Sequence, residues 1–193
     1  MMGRMDEVDK QIISELLRDG RTPYKRLGEI IGYTTMGAKR RVEKMLSKNL
    51  IRVSAEVNVE ALNLYAALIL LELESRDALN RCLQRFRDCP RVVNLFTLLA
   101  GHNLAALIIA EDKETLESES MERCSLRCTP GVRRTEFYPI GTMPYSPFLR
   151  IRLNLATKDR ERAPCGVDCG SCGRYQAIKC AGCPATKYYR GPL

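Results

Sequence analysis

Long apolar runs are missing from this sequence: no stretch reaches the roughly 18 consecutive apolar residues that a membrane-spanning helix requires. The opening segment, MMGRMDEVDKQ, also lacks the apolar core of a secretory signal peptide. A cytoplasmic protein with no membrane partner is therefore expected. Histidine is nearly absent, with one in 193 residues. Disorder is not expected either. A chain with 45% apolar and 28% charged residues has the profile of a soluble globular protein, long enough for two small domains and an appendage.

Cysteine is plentiful by contrast. There are nine, and five of them fall between positions 165 and 183. An odd number of thiols, bunched in C-x-x-C units in a reducing compartment, reads as metal binding before it reads as a disulfide framework.

Charge is also uneven. Residues 1–53 carry 12 Lys and Arg against 7 Asp and Glu, residues 54–163 carry 15 against 15, and residues 164–193 carry 4 against 1, which together make the net +8. Basic ends on a neutral middle suggest a polyanionic partner, because phosphate contacts supply most sequence-independent affinity for nucleic acid.

The basic N-terminal segment has helical punctuation. In MDEVDKQIISELLRDGR, Val8, Ile12, Ile13, Leu16 and Leu17 recur at helical spacing behind an acidic first turn, and Gly20 follows the end. A second, short helix is expected after Thr22 as N-cap and Pro23 at its first position, with Leu27, Ile30 and Ile31 buried and Gly32 as its stop. A third should run from about Thr35 to Lys48, burying Ala38, Val42, Met45 and Leu46 and exposing Lys39, Arg40, Arg41, Lys44 and Lys48. Three short helices, the last one basic and entered by a tight turn, describe a helix-turn-helix. Its recognition helix would place Thr34, Thr35, Met36, Gly37, Lys39 and Arg40 at base edges and phosphates of double-stranded DNA, with Lys44 one turn behind. Arg41 is expected to act within the domain.

The segment DEVDKQIISELLRDGRTPYKRLGEIIGYTTMGAKRRVEKMLSKNLIRVSAEVNVEALNL resembles the DNA-binding half of the Lrp/AsnC (leucine-responsive, feast/famine) transcription regulators. CPRVVNLFTLLAGHNLAALIIAEDKETLES and TPGVRRTEFYPIG are similar to that family's effector-binding and oligomerisation domain, so the resemblance spans about residues 5–140. Asn49 and Asn63 stand where the family usually has glycine, and asparagine is the next best residue for a left-handed backbone. The resemblance implies a sequence-specific DNA-binding regulator, a homodimer or higher homo-oligomer. It also implies a small-molecule effector site near the turn Gly101, His102 and Asn103, although Asn103 replaces the family's common acidic residue.

The middle of the chain also reads on its own terms. LYAALILLELE, RVVNLFTLLA, LAALIIAE and VRRTEFYPI are apolar strands, with helices over RDALNRCLQRFRDCP and from about Lys113. The order βαββαβ is that of the ferredoxin-like split βαβ. Alternation of Leu149, Ile151, Leu153 and Leu155 with Arg150, Arg152 and Asn154 predicts a fifth strand. The expected fold class is thus α+β: a winged/helix-turn-helix domain in residues 1–53, a linker in 54–63, a ferredoxin-like domain in 64–157 and a cysteine-rich metal-binding tail in 158–193.

In that tail Cys169, Cys172, Cys180 and Cys183 form two C-x-x-C knuckles, with Gly170, Gly173 and Gly182 at the turns. Four thiolates complete the tetrahedron of a structural Zn2+ site, leaving Cys165 as a possible alternative ligand. An iron-sulfur cluster on the same thiols is the alternative. Arg174, Lys179, Lys187 and Arg190 could add a second DNA contact. Cys82, Cys89, Cys124 and Cys128 read as small hydrophobes. A sirohaem-decarboxylase-like enzyme shares this pair of domains and is the competing function. The basic third helix and the single histidine favour the regulator.

Overall fold

The computed structural model describes residues 5–193. Residues 1–4, part of the opening segment considered above for leader character, lie outside the described residues. The chain divides into two compact units, the first ending at Ala55 and the second running from Glu56 to Leu193.

The first unit is built of three helices: α1 (Glu7–Arg18), α2 (Tyr24–Ile31) and α3 (Thr35–Ser47). Asp6 and Asp9 form a reciprocal cap at the start of α1, which satisfies amide groups with no intrahelical acceptor. Ile12, Leu27, Ile31, Ala38, Val42 and Met45 make the core. The expected stripes were slightly too wide, since Leu17 and Leu46 are exposed. Pro23, not Thr22, is the N-cap of α2, and Thr22 instead donates its hydroxyl to the Asp19 carbonyl.

The second unit opens with the short strand β1 (Val57–Asn58), followed by β2 (Tyr65–Leu73), α4 (Arg76–Phe86), β3 (Val92–Thr97), β4 (Leu104–Ala110), α5 (Lys113–Met121), β5 (Val132–Pro139), β6 (Phe148–Leu149) and the single-turn α6 (Gly173–Gln176). Four strands form an antiparallel sheet in the order β3-β4-β2-β5, which is the ferredoxin-like topology. One face carries Ala67, Ile69, Leu71, Leu104, Ala106 and Ile108 against Ala78, Cys82 and Phe86 of α4 and Leu116 of α5. Each fully buried large side chain of this set contributes roughly 1.5–3 kcal/mol of transfer free energy.

The predicted fifth strand is not formed. Only Phe148 and Leu149 pair, with Asn58 and Val57, and Leu153–Leu155 is a 3-10 turn. Leu149 and Ile151 are instead packed with Val59, Leu64, Ala66 and Ile109 beyond the other face of the sheet. The alternation coincides with packing only at Leu149 and Ile151, since Leu153 is exposed.

The C-terminal segment lies within the same compact unit as the sheet. Its buried residues are small: Ala163, Cys169, Ala181, Ala185 and Thr186. Hydrogen bonds hold it instead. Ala181 N–H donates to the Thr115 hydroxyl at 2.9 Å, and Arg174 Nε donates to the Ser118 hydroxyl at 2.7 Å.

Candidate nucleic-acid interface and thiol-lined cavity

The α2–α3 turn is set by two close approaches. Gly32 has φ +70, and the Tyr33 amide bonds back to the Gly28 carbonyl at 2.8 Å. A Cβ on Gly28 would stand 2.7 Å from the Tyr33 carbonyl oxygen, so only glycine lets α3 start this close to α2. Sequence reading overlooked Gly28 because a mid-helix glycine looks like a weakness until its neighbour is known.

Thr34 caps α3 by accepting from the Gly37 amide at 3.1 Å. Of the two threonine hydroxyls among the expected base readers, that of Thr34 is thus already engaged in shaping the helix. Thr35, Met36, Arg40 and Lys44 are exposed, whereas Gly37 and Lys39 are half-buried. Lys39 lies 3.7 Å from Glu43, a loose surface pair that phosphate can displace. Arg41 behaves as expected of a structural residue. It pairs with Asp6 at 2.7 Å and Asp9 at 2.9 Å and lies over the Tyr33 ring. The hydrogen bond to Asp6, then those to Tyr33 and Asp9, hold its guanidinium above its ordinary pKa.

The turn after β3 has Gly101 at φ +68. Asn103 pairs like a strand residue: its amide oxygen accepts from the Leu73 N–H at 2.9 Å and its amide nitrogen donates to the Leu73 carbonyl at 2.7 Å. That side chain is committed to extending the β2–β4 pairing, so of the three turn residues Asn103 is not free to act otherwise. His102 is not the solvent-exposed turn residue its position suggests: its side chain is only 11% exposed, with Nε2 3.7 Å from a Glu136 carboxylate oxygen and, among the described residues, no hydrogen-bond partner.

The C-terminal cysteines do not stand alone. A cavity of about 30 Å³ is lined by Cys165, Cys169, Cys172, Cys180 and Cys183 together with Cys89 and Cys124. Cys89 follows α4 and Cys124 follows α5, so two thiols expected as small hydrophobes face the tail. Cys82 sits in the sheet core as foreseen, while Cys128 is exposed. Burial pushes the Cys89 thiol up to about 12, and burial likewise raises Cys124, Cys165, Cys169 and Cys183. Among the described residues, no three Cys, His, Asp or Glu side chains are already gathered as a coordination shell.

Beside the thiols lies Arg91, 3% exposed. It bonds Glu111 at 2.8 Å and Glu119 at 3.1 Å and donates to the Gly182 carbonyl of the tail. Burial opposes its charge, but Glu111 and Glu119 outweigh that and hold its pKa well above the ordinary value. Burial raises Glu119 despite the pull of Arg91. The left-handed Gly182, φ +79, packs so tightly that a Cβ would stand 2.7 Å from the Tyr188 carbonyl. Three of the tail's bases expected as DNA contacts are engaged elsewhere. Arg174 pairs with Glu117, Lys187 with Glu161, and Arg190 stacks 3.8 Å over the Tyr175 ring.

Residues 5–46 match the AsnC-type helix-turn-helix domain. The Bkd operon transcriptional regulator of Pseudomonas aeruginosa is 24% identical over 136 residues, 68% of this chain and 87% of that protein. The HTH-type transcriptional regulator YezC of Bacillus subtilis, itself uncharacterized, is 40% identical over 73 residues, 37% of this chain and 52% of its own. The structure of Escherichia coli AsnC superposes with a TM-score of 0.63 at 17% identity, covering 74% of this chain and 95% of that one. An AsnC-type helix-turn-helix joined to an antiparallel α+β domain, on the fold seen in AsnC itself, is what this chain carries.

Proposed function

We infer that this protein is a sequence-specific DNA-binding transcription regulator of the Lrp/AsnC type. The observation that carries the reading is the leading turn of α3. It combines an AsnC-type match, an exposed Thr35-Met36 edge and basic residues Lys39, Arg40 and Lys44 behind it, with Arg41 anchoring the helix from the other side. The competing sirohaem-decarboxylase-like enzyme is disfavoured because the relatives named above are regulators by name.

Double-stranded DNA is the partner. We further propose a homodimer or higher homo-oligomer, formed over the sheet face that bears Leu68, Leu70, Phe96 and Leu107, which are half-buried or exposed. An effector would meet His102 at the rim of the same sheet. The tail would bind a metal, Zn2+ in preference to an iron-sulfur cluster, with a structural role.

Replacing Lys39 and Arg40 together by Ala tests the DNA reading. Affinity should fall, and the log-log dependence of binding on salt should flatten by roughly one unit for each phosphate no longer neutralised. Binding and salt dependence both equal to wild type would mean that α3 does not enter the groove.

A further inference from the structure

The tail has no large buried apolar side chain, yet its backbone turns are defined and one wall of the thiol cavity belongs to another part of the unit. Cys89 and Cys124 are 35 residues apart in sequence, as 124 minus 89, and 41 and more residues from the first C-terminal cysteine at 165. Folding nevertheless brings both onto the cavity lined by five tail thiols. Packing alone is a weak account of seven thiols on one small cavity. Thiolates are the ligands preferred by soft and borderline divalent cations, and four of them fill a tetrahedral shell.

The surroundings suit an ion. A second cleft of about 530 Å³, lined by Glu122, Arg123, Cys124, Arg162, Val167 and Cys172 among others, shares Glu122, Cys124, Val167 and Cys172 with the thiol cavity and leads to solvent. It supplies an entry path. Arg91 also borders the cavity, its charge already shared between Glu111 and Glu119, so the ion's own two positive charges must balance the thiolates. A cavity of about 30 Å³ is of water-molecule size, which suits a single ion and is tight for a four-iron cluster.

We propose that Cys89 and Cys124 join the C-terminal cysteines in one thiolate site for a divalent cation of the zinc class, so that the ion fastens the tail to the ferredoxin-like domain. The proposal rests on the reading of the tail as metal-binding and extends it across two segments of the chain. Binding involves no redox change: each ligand thiol releases its proton to solvent and its sulfur lone pair forms the bond to the ion. Among the described residues no three of these side chains are gathered as a shell, so the proposed site requires the thiols to rotate toward the ion. A tail held this way has no need of an apolar core of its own.

The test titrates the reduced, metal-stripped full chain with Co2+, follows the thiolate-to-cobalt charge-transfer band, then adds Zn2+. The wild type should give an intense band that Zn2+ abolishes. Cys89→Ala and Cys124→Ala should each weaken Co2+ binding by at least about 100-fold, more than loss of an outer-shell partner costs. Cys82→Ala and Cys128→Ala should match the wild type. Far-ultraviolet circular dichroism of each variant identifies any that has lost its fold, and Cys89→Ser and Cys124→Ser then replace it. No thiolate-cobalt band in the wild type would overturn both the shared site and the tail reading. A band lost in Cys172→Ser but intact in both Cys89→Ala and Cys124→Ala would overturn the shared site alone. A brown protein after anaerobic purification, with broad iron-sulfur absorption, would overturn the zinc class.

Discussion

The first helical unit and the C-terminal tail are both small and basic, yet they solve the problem of folding by opposite means. The helical unit buries Ile12, Leu27, Ile31, Ala38, Val42 and Met45 in a core of its own. The tail buries alanines, a threonine and a cysteine, and borrows its fixed points from the sheet domain: Thr115, Ser118 and the side chain of Arg91. Their backbones differ in the same sense. Left-handed positions in the helical unit are held by Gly32 and Asn49, residues that accept them, whereas the tail places Lys158 and Ile178 there as well as Gly166 and Gly182. A segment that tolerates a β-branched residue at φ +60 is one whose conformation is imposed from outside.

Arg91→Ala should have the largest effect. It strips the shared cation from two buried carboxylates and removes the donor to the Gly182 carbonyl. Breaking a buried pair on one side costs about 3–5 kcal/mol. A chemical-denaturation midpoint lowered accordingly, with faster proteolysis of the tail than of the sheet domain, is expected. An unchanged tail cleavage rate would show that Arg91 does not anchor it.

Leu27→Ala comes next, at about 2–5 kcal/mol for a fully buried leucine. The two compact units should respond separately. DNA binding should fail as α3 loses its support, while the protease resistance of residues 158–193 stays at the wild-type level. Equal loss of protection in the tail would contradict the self-sufficient core assigned to the helical unit.

That contrast also explains how much of the molecule was legible in its sequence. Gly32 as stop and the βαββαβ order follow from local chemistry, and local chemistry is what spacing records, while the left-handed Asn49 and Asn63 were expected from the resemblance and the capping role of Thr34 was not foreseen. Asn49 and Asn63 do both have φ +53. The roles of Cys89, Cys124, Arg91 and Asn103 depend on partners 20 or more residues away. No periodicity announces such partners. Cys89 next to Pro90 at a helix end looks the same whether it faces a core or a thiol cavity. The misread strand at Leu149–Leu155 is the converse case, where a period of two in sequence is matched by pairing only at Leu149 and by core packing only at Leu149 and Ile151. Signals were available only in composition: a tail with five thiols and few large apolar residues had to be held by something other than a core.

The smallest expected effects form a matched pair. Ile178 sits just past α6, where its φ of +60 lets the Lys179 amide reach back to the Arg174 carbonyl at 2.8 Å. An L-residue with a branched side chain in that conformation costs about 1–2 kcal/mol relative to an unstrained one. Glycine relieves the strain but raises the entropy of the unfolded chain, which returns part of the gain. Ile178→Gly should therefore stabilise the tail by about 1 kcal/mol, read as a roughly fivefold slower exchange of the Lys179 amide with solvent deuterium. Because the side chain is 78% exposed, little packing is lost to obscure the result. Asn49 occupies the same conformation after α3, where the Leu50 amide reaches the Met45 carbonyl at 2.9 Å. Asparagine already tolerates that conformation, so Asn49→Gly should change stability by no more than about a few tenths of a kcal/mol. A gain at Asn49 as large as that at Ile178 would mean that strain is spread evenly between the two segments, and that the tail is no more externally constrained than the helices.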